Sequence, residues 1–278
     1  MNKVLYVDAI LDKAYKSNTF LGRLKDNFYR SFEGKSYISD LDTVIYKVKL
    51  PPNFNEQAFK RNINKIRKKF NNNYNISTMA LSTNRFLDYN FYTEFQKRFL
   101  AYSVVKSIQL LLRTRNKSIR KNYIAVYDST DIINKYIVLE LCKNSKCLIL
   151  VSNNMRENRE LCDHITRDYG VSPIITDDIK YVSKHSDFII SSKPLECLVE
   201  CPLWCLDNMY IPKERKDIVV NKVTYTTPWN FDDLEITSEL LGGIFNNYKY
   251  KEKEQIDQFL YNNGILLKDA KFESFRNL

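Results

Sequence analysis

The chain has 278 residues, 44% hydrophobic and 13% aromatic, enough to bury a sizeable core in one large or two medium domains. No run of about 18 apolar residues is present to span a bilayer, and Asp8 and Asp12 stand where a secretion signal would need an apolar stretch. The expectation is a cytoplasmic protein with no membrane partner, whose six cysteines are reduced thiols rather than a disulfide framework. Its net charge of +10 is unevenly placed: residues 1–122 carry 24 Lys and Arg against 9 Asp and Glu, whereas residues 123–278 carry 19 against 24.

In chain order, the first half reads as α/β. Val4–Val7 is a short strand, Thr19–Phe32 a helix, Thr43–Leu50 an alternating strand before Pro51–Pro52, Asn55–Asn71 a basic amphipathic helix and Ile76–Leu81 another strand. From Phe91 to Arg115 the residues Phe95, Phe99, Leu100, Val104, Ile108, Leu111 and Leu112 keep to one stripe, which predicts a long helix able to connect two domains. The polar, basic segment Arg113–Asn122 reads as a linker.

The next stretch has the outline of a nucleotide-binding β-α-β unit. Tyr123–Tyr127 is a buried strand, DSTD at Asp128–Asp131 a helix cap, Ile132–Cys142 a helix and Cys147–Val151 a second strand, which together make half of a Rossmann fold. The alternation continues with a helix over Met155–Gly170 closed by a Gly C-cap, a strand over Val171–Thr176, a short helix over DDIKYVSKH and a fourth strand over Asp187–Ser192. A working dinucleotide site places G-x-G-x-x-G at the first turn, because only glycine turns tightly and lets the backbone approach the pyrophosphate. Tyr127, Ser129 and Ile132 occupy those positions, and no glycine occurs between Gly34 and Gly170.

The run SNNMRENRELCDHITRDYGVSPIITDDIKYVSKHSDFIISS resembles the nucleotide-binding domain of the shikimate dehydrogenase and glutamyl-tRNA reductase group of oxidoreductases. Asn153, Asn154, Leu161, Gly170 and Asp187–Ser192 carry the likeness, which covers about a third of the chain. It implies a Rossmann-like fold, an NAD(P) cofactor and phosphates lying at Asp128–Ile132. There, Asp128 and Asp131 set carboxylates beside a helix N-terminus that otherwise favours anions. Tyr127 adds bulk, and Asn154 stands where the group has Arg. The group's Lys-Asp pair and its N-terminal catalytic Cys have no counterpart, since every cysteine lies after Tyr123. Tyr127, Asp128, Ser129, Thr130, Asn153, Asn154 and Ser192 are the candidate cofactor-binding residues, lining a crevice at the strand carboxyl ends. No catalytic residue is assigned.

Other clusters have plainer readings. KRNINKIRKK (Lys60–Lys69) and RTRNKSIRK (Arg113–Lys121) would suit a polyanion, yet Phe59, Ile63, Ile66 and Phe70 at helical spacing make the first a solvated outer face, and no nucleic-acid motif accompanies the charge. Cys197, Cys201 and Cys205 are spaced by four, as three thiols on one helix face would be, but Pro202 and the missing fourth ligand favour core packing, so no metal is expected. His164 and His185 are lone histidines, and the doublets Asp177–Asp178 and Asp232–Asp233 read as helix caps. Lys222–Tyr248 offers a strand, a Pro-Trp turn and a helix ending near Gly242–Gly243, followed by a last helix over Glu252–Asn262. In the resembled group this part borders a substrate cleft, which Tyr225, Thr226, Thr227 and Trp229 would face; closing a sheet edge is the simpler role.

The expected architecture is therefore two α/β domains, the C-terminal one a Rossmann-like parallel sheet with helices on both faces. Residues 1–115 form a basic domain ending in the connecting helix, 116–122 a linker, 123–248 the Rossmann-like domain, and 249–278 a helix and tail packing back on the first domain. The leading function is a dehydrogenase-like protein with a degenerate nucleotide loop, a non-catalytic binding or regulatory module with a protein or small-molecule partner and no resident cofactor. An NAD(P)-dependent oxidoreductase with a glycine-free loop and a basic nucleic-acid-binding protein are the alternatives, and whether the chain is an enzyme stays open.

Overall fold

A computed structural model describes residues 1–9, 13–69, 76–79, 91–195, 200–206, 217–229, 235–246 and 256–273. In chain order the first elements are β1 (Asn2–Asp8), α1 (Phe20–Tyr29), β2 (Ser31–Ile38), β3 (Thr43–Lys49), α2 (Glu56–Lys69), β4 (Ile76–Met79) and α3 (Glu94–Thr114). Then follow β5 (Ile124–Tyr127), α4 (Ile132–Cys142), β6 (Leu148–Val151), α5 (Met155–Tyr169), β7 (Ile174–Thr176), α6 (Ile179–His185) and β8 (Phe188–Ser191). The last are β9 (Leu203–Cys205), β10 (Val219–Val220), β11 (Lys222–Thr226), α7 (Ser238–Phe245), α8 (Ile256–Asn262) and β12 (Leu266–Lys271). The chain divides into two compact units, one of Met1–Gln96 and Thr224–Lys268, the other of Lys97–Val223 and Asp269–Ser274. Residues 224–248, expected with the Rossmann-like domain, thus fall in the first unit.

The first unit is built on a four-stranded sheet of order β2-β3-β1-β4, in which β1 runs parallel to β3 and β4 while β2 is antiparallel to β3. The register sets Val4 beside Ile45 and Val7 beside Val48, and these apolar residues are buried. From α2, Phe59, Ile63 and Ile66 join the core, so the helical spacing read from the sequence is the packed face. α7 is apolar all round, apart from Ser238 and Glu239, and buried along its whole length, packing near β4 and β1. It ends at Phe245, close to the end expected near Gly242–Gly243, and the Phe245 ring meets that of Phe259 edge-on at 4.5 Å. The expected helix Thr19–Phe32 stops at Tyr29, and Ser31–Ile38 is a strand that the sequence reading missed.

α1 is fastened by polar groups. Its buried positions are Gly22 and Asp26, and the Asp26 carboxylate accepts hydrogen bonds from Tyr15 Oη (2.9 Å), Asn53 Nδ2 (3.0 Å) and Arg61 Nη2 (2.8 Å). Burial and the neighbouring Asp26 raise the Tyr15 phenol.

The second unit is built on six parallel strands in the order β10-β9-β8-β5-β6-β7. Counted from the first strand of the unit this is 3-2-1-4-5-6, the doubly wound order of dinucleotide-binding folds. β5 lies at the centre, with Ala125 paired to Ile149 on one side and Ile189 on the other, and Ile124, Ala125 and Val126 are fully buried. Strands covered on both faces read as unbroken apolar runs. Helices flank the sheet; from α3, Phe99, Leu100, Val104, Ile108 and Leu112 are buried, and Ser107 Oγ accepts a hydrogen bond from Trp204 Nε1 at 2.9 Å. Among the described residues no helix is long and apolar enough to cross a membrane.

The spacing of Cys201 and Cys205 is not helical. Leu203–Cys205 is a strand, β9, pairing Trp204 with Ile190 of β8; Pro202 precludes a continuous helix there, and the apolar LWC suits a buried position. Cys205 is buried, Cys201 half-buried, and Cys197 lies outside the described residues. Among the described residues no group of three or more His, Cys, Asp or Glu is arranged to hold a metal ion.

Candidate functional site

In a sheet of this order, ligands bind where neighbouring connections leave in opposite directions, here outside the carboxyl ends of β5 and β8. The turn after β5 is built without glycine. Asp128 takes the left-handed conformation with φ 59°, Asp131 N donates to Asp128 O (2.9 Å), and the Asp131 carboxylate accepts from Ile132 N (2.7 Å) to cap α4. Asp128 therefore supplies the backbone geometry for which glycine is the usual residue.

The seven candidate residues all lie on this edge of the sheet, but they face different ways. Ser129 is fully buried, its Oγ donating to Asn158 Oδ1 (2.8 Å) and Val151 O (3.3 Å), while Asn158 Nδ2 donates to Leu150 O (3.1 Å). That network clamps the turn to β6 and keeps Ser129 away from any ligand. Thr130 Oγ1 meets Ser152 Oγ at 3.0 Å. Asn154 caps α5, accepting from Glu157 N (3.3 Å) and donating to Glu157 Oε2 (2.9 Å), and Asn153 is exposed beside it. Glu157 also pairs with Lys135 of α4. Tyr127 packs against the apolar cluster that includes Ala125, Ile149, Val151 and Ile189, and it is also among the groups that act on the Lys193 ammonium.

Two residues that the sequence reading missed make contacts across the switch point. Asn134, in the first turns of α4 and wholly buried, donates through Nδ2 to Tyr127 O (3.0 Å), Asp128 O (2.9 Å) and Ser192 Oγ (2.9 Å), tying the turn after β5 to the turn after β8. Its Oδ1 is buried with no hydrogen-bond donor. Lys193, the next residue along, forms an ion pair with Asp128 across the same gap. Its ammonium is raised above the ordinary lysine value, first by that hydrogen bond and further by the charges of Asp128 and Asp131. A signal for Asn134 was present: it is the amide in the otherwise apolar start of IINKYIVLELC, on the face that meets the sheet. Lys193 gave none, since a lysine after a strand is ordinary.

Asp178 caps α6, accepting from Lys180 N (2.8 Å) and Tyr181 N (3.1 Å); Asp232–Asp233 lie outside the described residues. His164 pairs with Asp168 at 3.0 Å on the exposed side of α5, and His185 stacks on Tyr181 at 4.2 Å. In the first unit, Tyr225 is buried, with its N donating to Ile236 O (2.9 Å), and the Trp229 ring lies 6.2 Å from that of Phe245.

No protein-family model matches the chain, and no curated protein matches it in sequence. Among solved structures it is similar to shikimate 5-dehydrogenase from Listeria monocytogenes in complex with shikimate and NAD, at 8% identity over 73% of this chain and 78% of that one, with a TM-score of 0.38. L-tryptophan dehydrogenase from Nostoc punctiforme matches at 10% identity over 73% of this chain, which spans 62% of that protein, with a TM-score of 0.35. Aspartate transcarbamoylase from Trypanosoma cruzi matches at 12% identity over 78% of this chain and 73% of that one, with a TM-score of 0.37. The Rossmann-like character of the second unit rests on the strand order and parallel register of its own sheet.

Proposed function

We propose that this chain is a dehydrogenase-like protein whose dinucleotide crevice is filled by its own side chains, so that the second unit serves as a binding or regulatory module without a resident cofactor. The observation that carries the reading is the Asp128–Lys193 ion pair across the switch point, reinforced by the Asn134 bridge to Ser192. A dinucleotide pyrophosphate needs bare backbone amides at the start of α4. Here the Asp131 carboxylate takes the Ile132 amide, and the Asp128 carboxylate, paired with Lys193, stands beside it. Those residues do not suit a dianionic ligand. Partner and ligand are a protein or small molecule recognised elsewhere on the surface.

A second reading, an NAD(P)-dependent oxidoreductase with a glycine-free loop, draws on the left-handed Asp128, which keeps the turn a phosphate loop requires. Nucleic-acid binding has weaker support, because two of the five cations in Arg113–Lys121 are engaged in ion pairs: Arg115 with Asp217 and Lys117 with Asp187. The test is a fluorescence titration of the native protein with NADH and NADPH. The reading requires no saturable binding up to millimolar nucleotide; a saturable curve would replace it with the oxidoreductase reading.

A further inference from the structure

α1 presents its apolar residues to water. A helix on a folded unit normally turns its apolar stripe inward. Here the inward edge is Gly22 and Asp26, held by Tyr15, Asn53 and Arg61, while Phe20, Leu21, Leu24 and Phe28 are 74, 70, 51 and 84% exposed. Residues 20, 24 and 28 form one i, i+4, i+8 ridge, the kind that interdigitates with the same ridge of another helix. After Arg30 the chain enters β2, which is an outermost strand of its sheet, with β3 on one side and no strand on the other among the described residues. Phe32 and Tyr37 on that strand are also exposed.

We propose that this α1–β2 surface is a two-fold interface with a second copy of the chain. Area is the first argument. Taking roughly 150–250 Å² for a large side chain, the four α1 residues leave about 500 Å² of apolar surface in water, near the largest patch an ordinary monomer shows. Two copies face to face would cover about 1,000 Å² from these residues alone, the size at which specific interfaces begin, before β2 is counted.

Charge is the second argument. Antiparallel pairing of β2 with its own copy, about a two-fold axis through Gly34, sets Glu33 of each chain opposite Lys35 of the other and so forms two opposite-charge pairs. Within the chain, Glu33 meets Lys49 at 3.4 Å, a half-solvated pair of little strength that leaves the carboxylate able to serve a second cation. The register shift between Phe32 and Gly34 makes Glu33 the extra residue of a bulge and twists the strand, and Lys35 repels a generic strand edge; both discourage indiscriminate addition.

Sedimentation equilibrium of the full chain, from sub-micromolar to about 100 micromolar, decides the matter. The native protein should dimerise, and F28E, at a position 84% exposed whose ring meets that of Tyr29 at 5.4 Å, should weaken the dimer at least about tenfold with unchanged circular dichroism. E33K and K35E should each weaken it, and E33K/K35E together should recover native affinity to within about threefold. A native protein that stays monomeric throughout, including one that instead binds anionic vesicles, overturns the proposal. A dimer indifferent to F28E does the same, and failure of the double reversal to recover affinity rejects the β2 pairing.

Discussion

Replacing Asp128 by alanine and by glycine separates the two jobs this residue performs. Its φ of 59° lies in the left-handed region, which costs an alanine about 1 kcal/mol relative to glycine and an aspartate somewhat less. Its carboxylate pairs with Lys193, whose side chain is 63% exposed, so solvent screening limits that pair to at most about 1 kcal/mol. D128A loses the pair and meets a backbone cost only a few tenths of a kcal/mol above that of aspartate, for a destabilisation of about 0.5–1.5 kcal/mol. D128G loses the pair but gains conformational relief, and should fall within about 0.5 kcal/mol of the native protein. Urea unfolding at pH 7 measures both. Equal losses, or a larger loss for glycine, would show that the turn is not held left-handed as described. The pH dependence has a definite sign. Lys193 titrates above its ordinary 10.5 in the folded state, so the pair's contribution is complete below that pH and disappears as pH rises through the folded value. The gap between native protein and D128N should close there.

Asp26→Ala removes a carboxylate that is 1% exposed and accepts three hydrogen bonds, leaving Arg61 without its ion partner, so unfolding free energy should drop by about 2–4 kcal/mol; a loss under about 0.5 kcal/mol would mean that α1 is fastened by something else. Burial pushes the Cys142 thiol up to about 12, which keeps it protonated and inert near neutrality. Iodoacetamide at pH 8 followed by mass spectrometry should modify Cys147 and spare Cys142 until the protein is unfolded, and prompt labelling of Cys142 in the folded protein would contradict its burial.

The second unit was largely legible in the sequence because its strands are buried on both faces. Runs such as Ile124–Tyr127 and Leu148–Val151 stand out as continuous apolar segments, and the caps Asp131, Asn154, Asp178 and Gly170 mark helix ends through local hydrogen bonds. β2 was missed because SFEGKSYI is a solvated edge strand interrupted by a register shift, with no clean alternation to read. β9 was hidden because LWC is only three residues long among regularly spaced cysteines, and Pro202 argues against a helix without marking a strand. The contacts across the switch point were illegible for a different reason. Asn134 meets Ser192 across 58 residues, and Lys193 meets Asp128 only because β5 and β8 are neighbours, a fact of topology that no local pattern contains.

A thermal-shift comparison of the native protein with D128G/D131S, each titrated with NAD, NADH, NADP and NADPH, tests the central claim most directly. Glycine suits the left-handed turn, serine preserves the α4 cap, and the two changes remove both carboxylates from the pyrophosphate position. A ligand present at about 100 times its dissociation constant stabilises a fold by about 2.7 kcal/mol, a shift of several degrees. The account predicts no shift for the native protein with any of the four nucleotides and a shift for the opened variant. A native protein stabilised to that extent would contradict it, because the Asp128–Lys193 pair would then give way to a dinucleotide rather than exclude one.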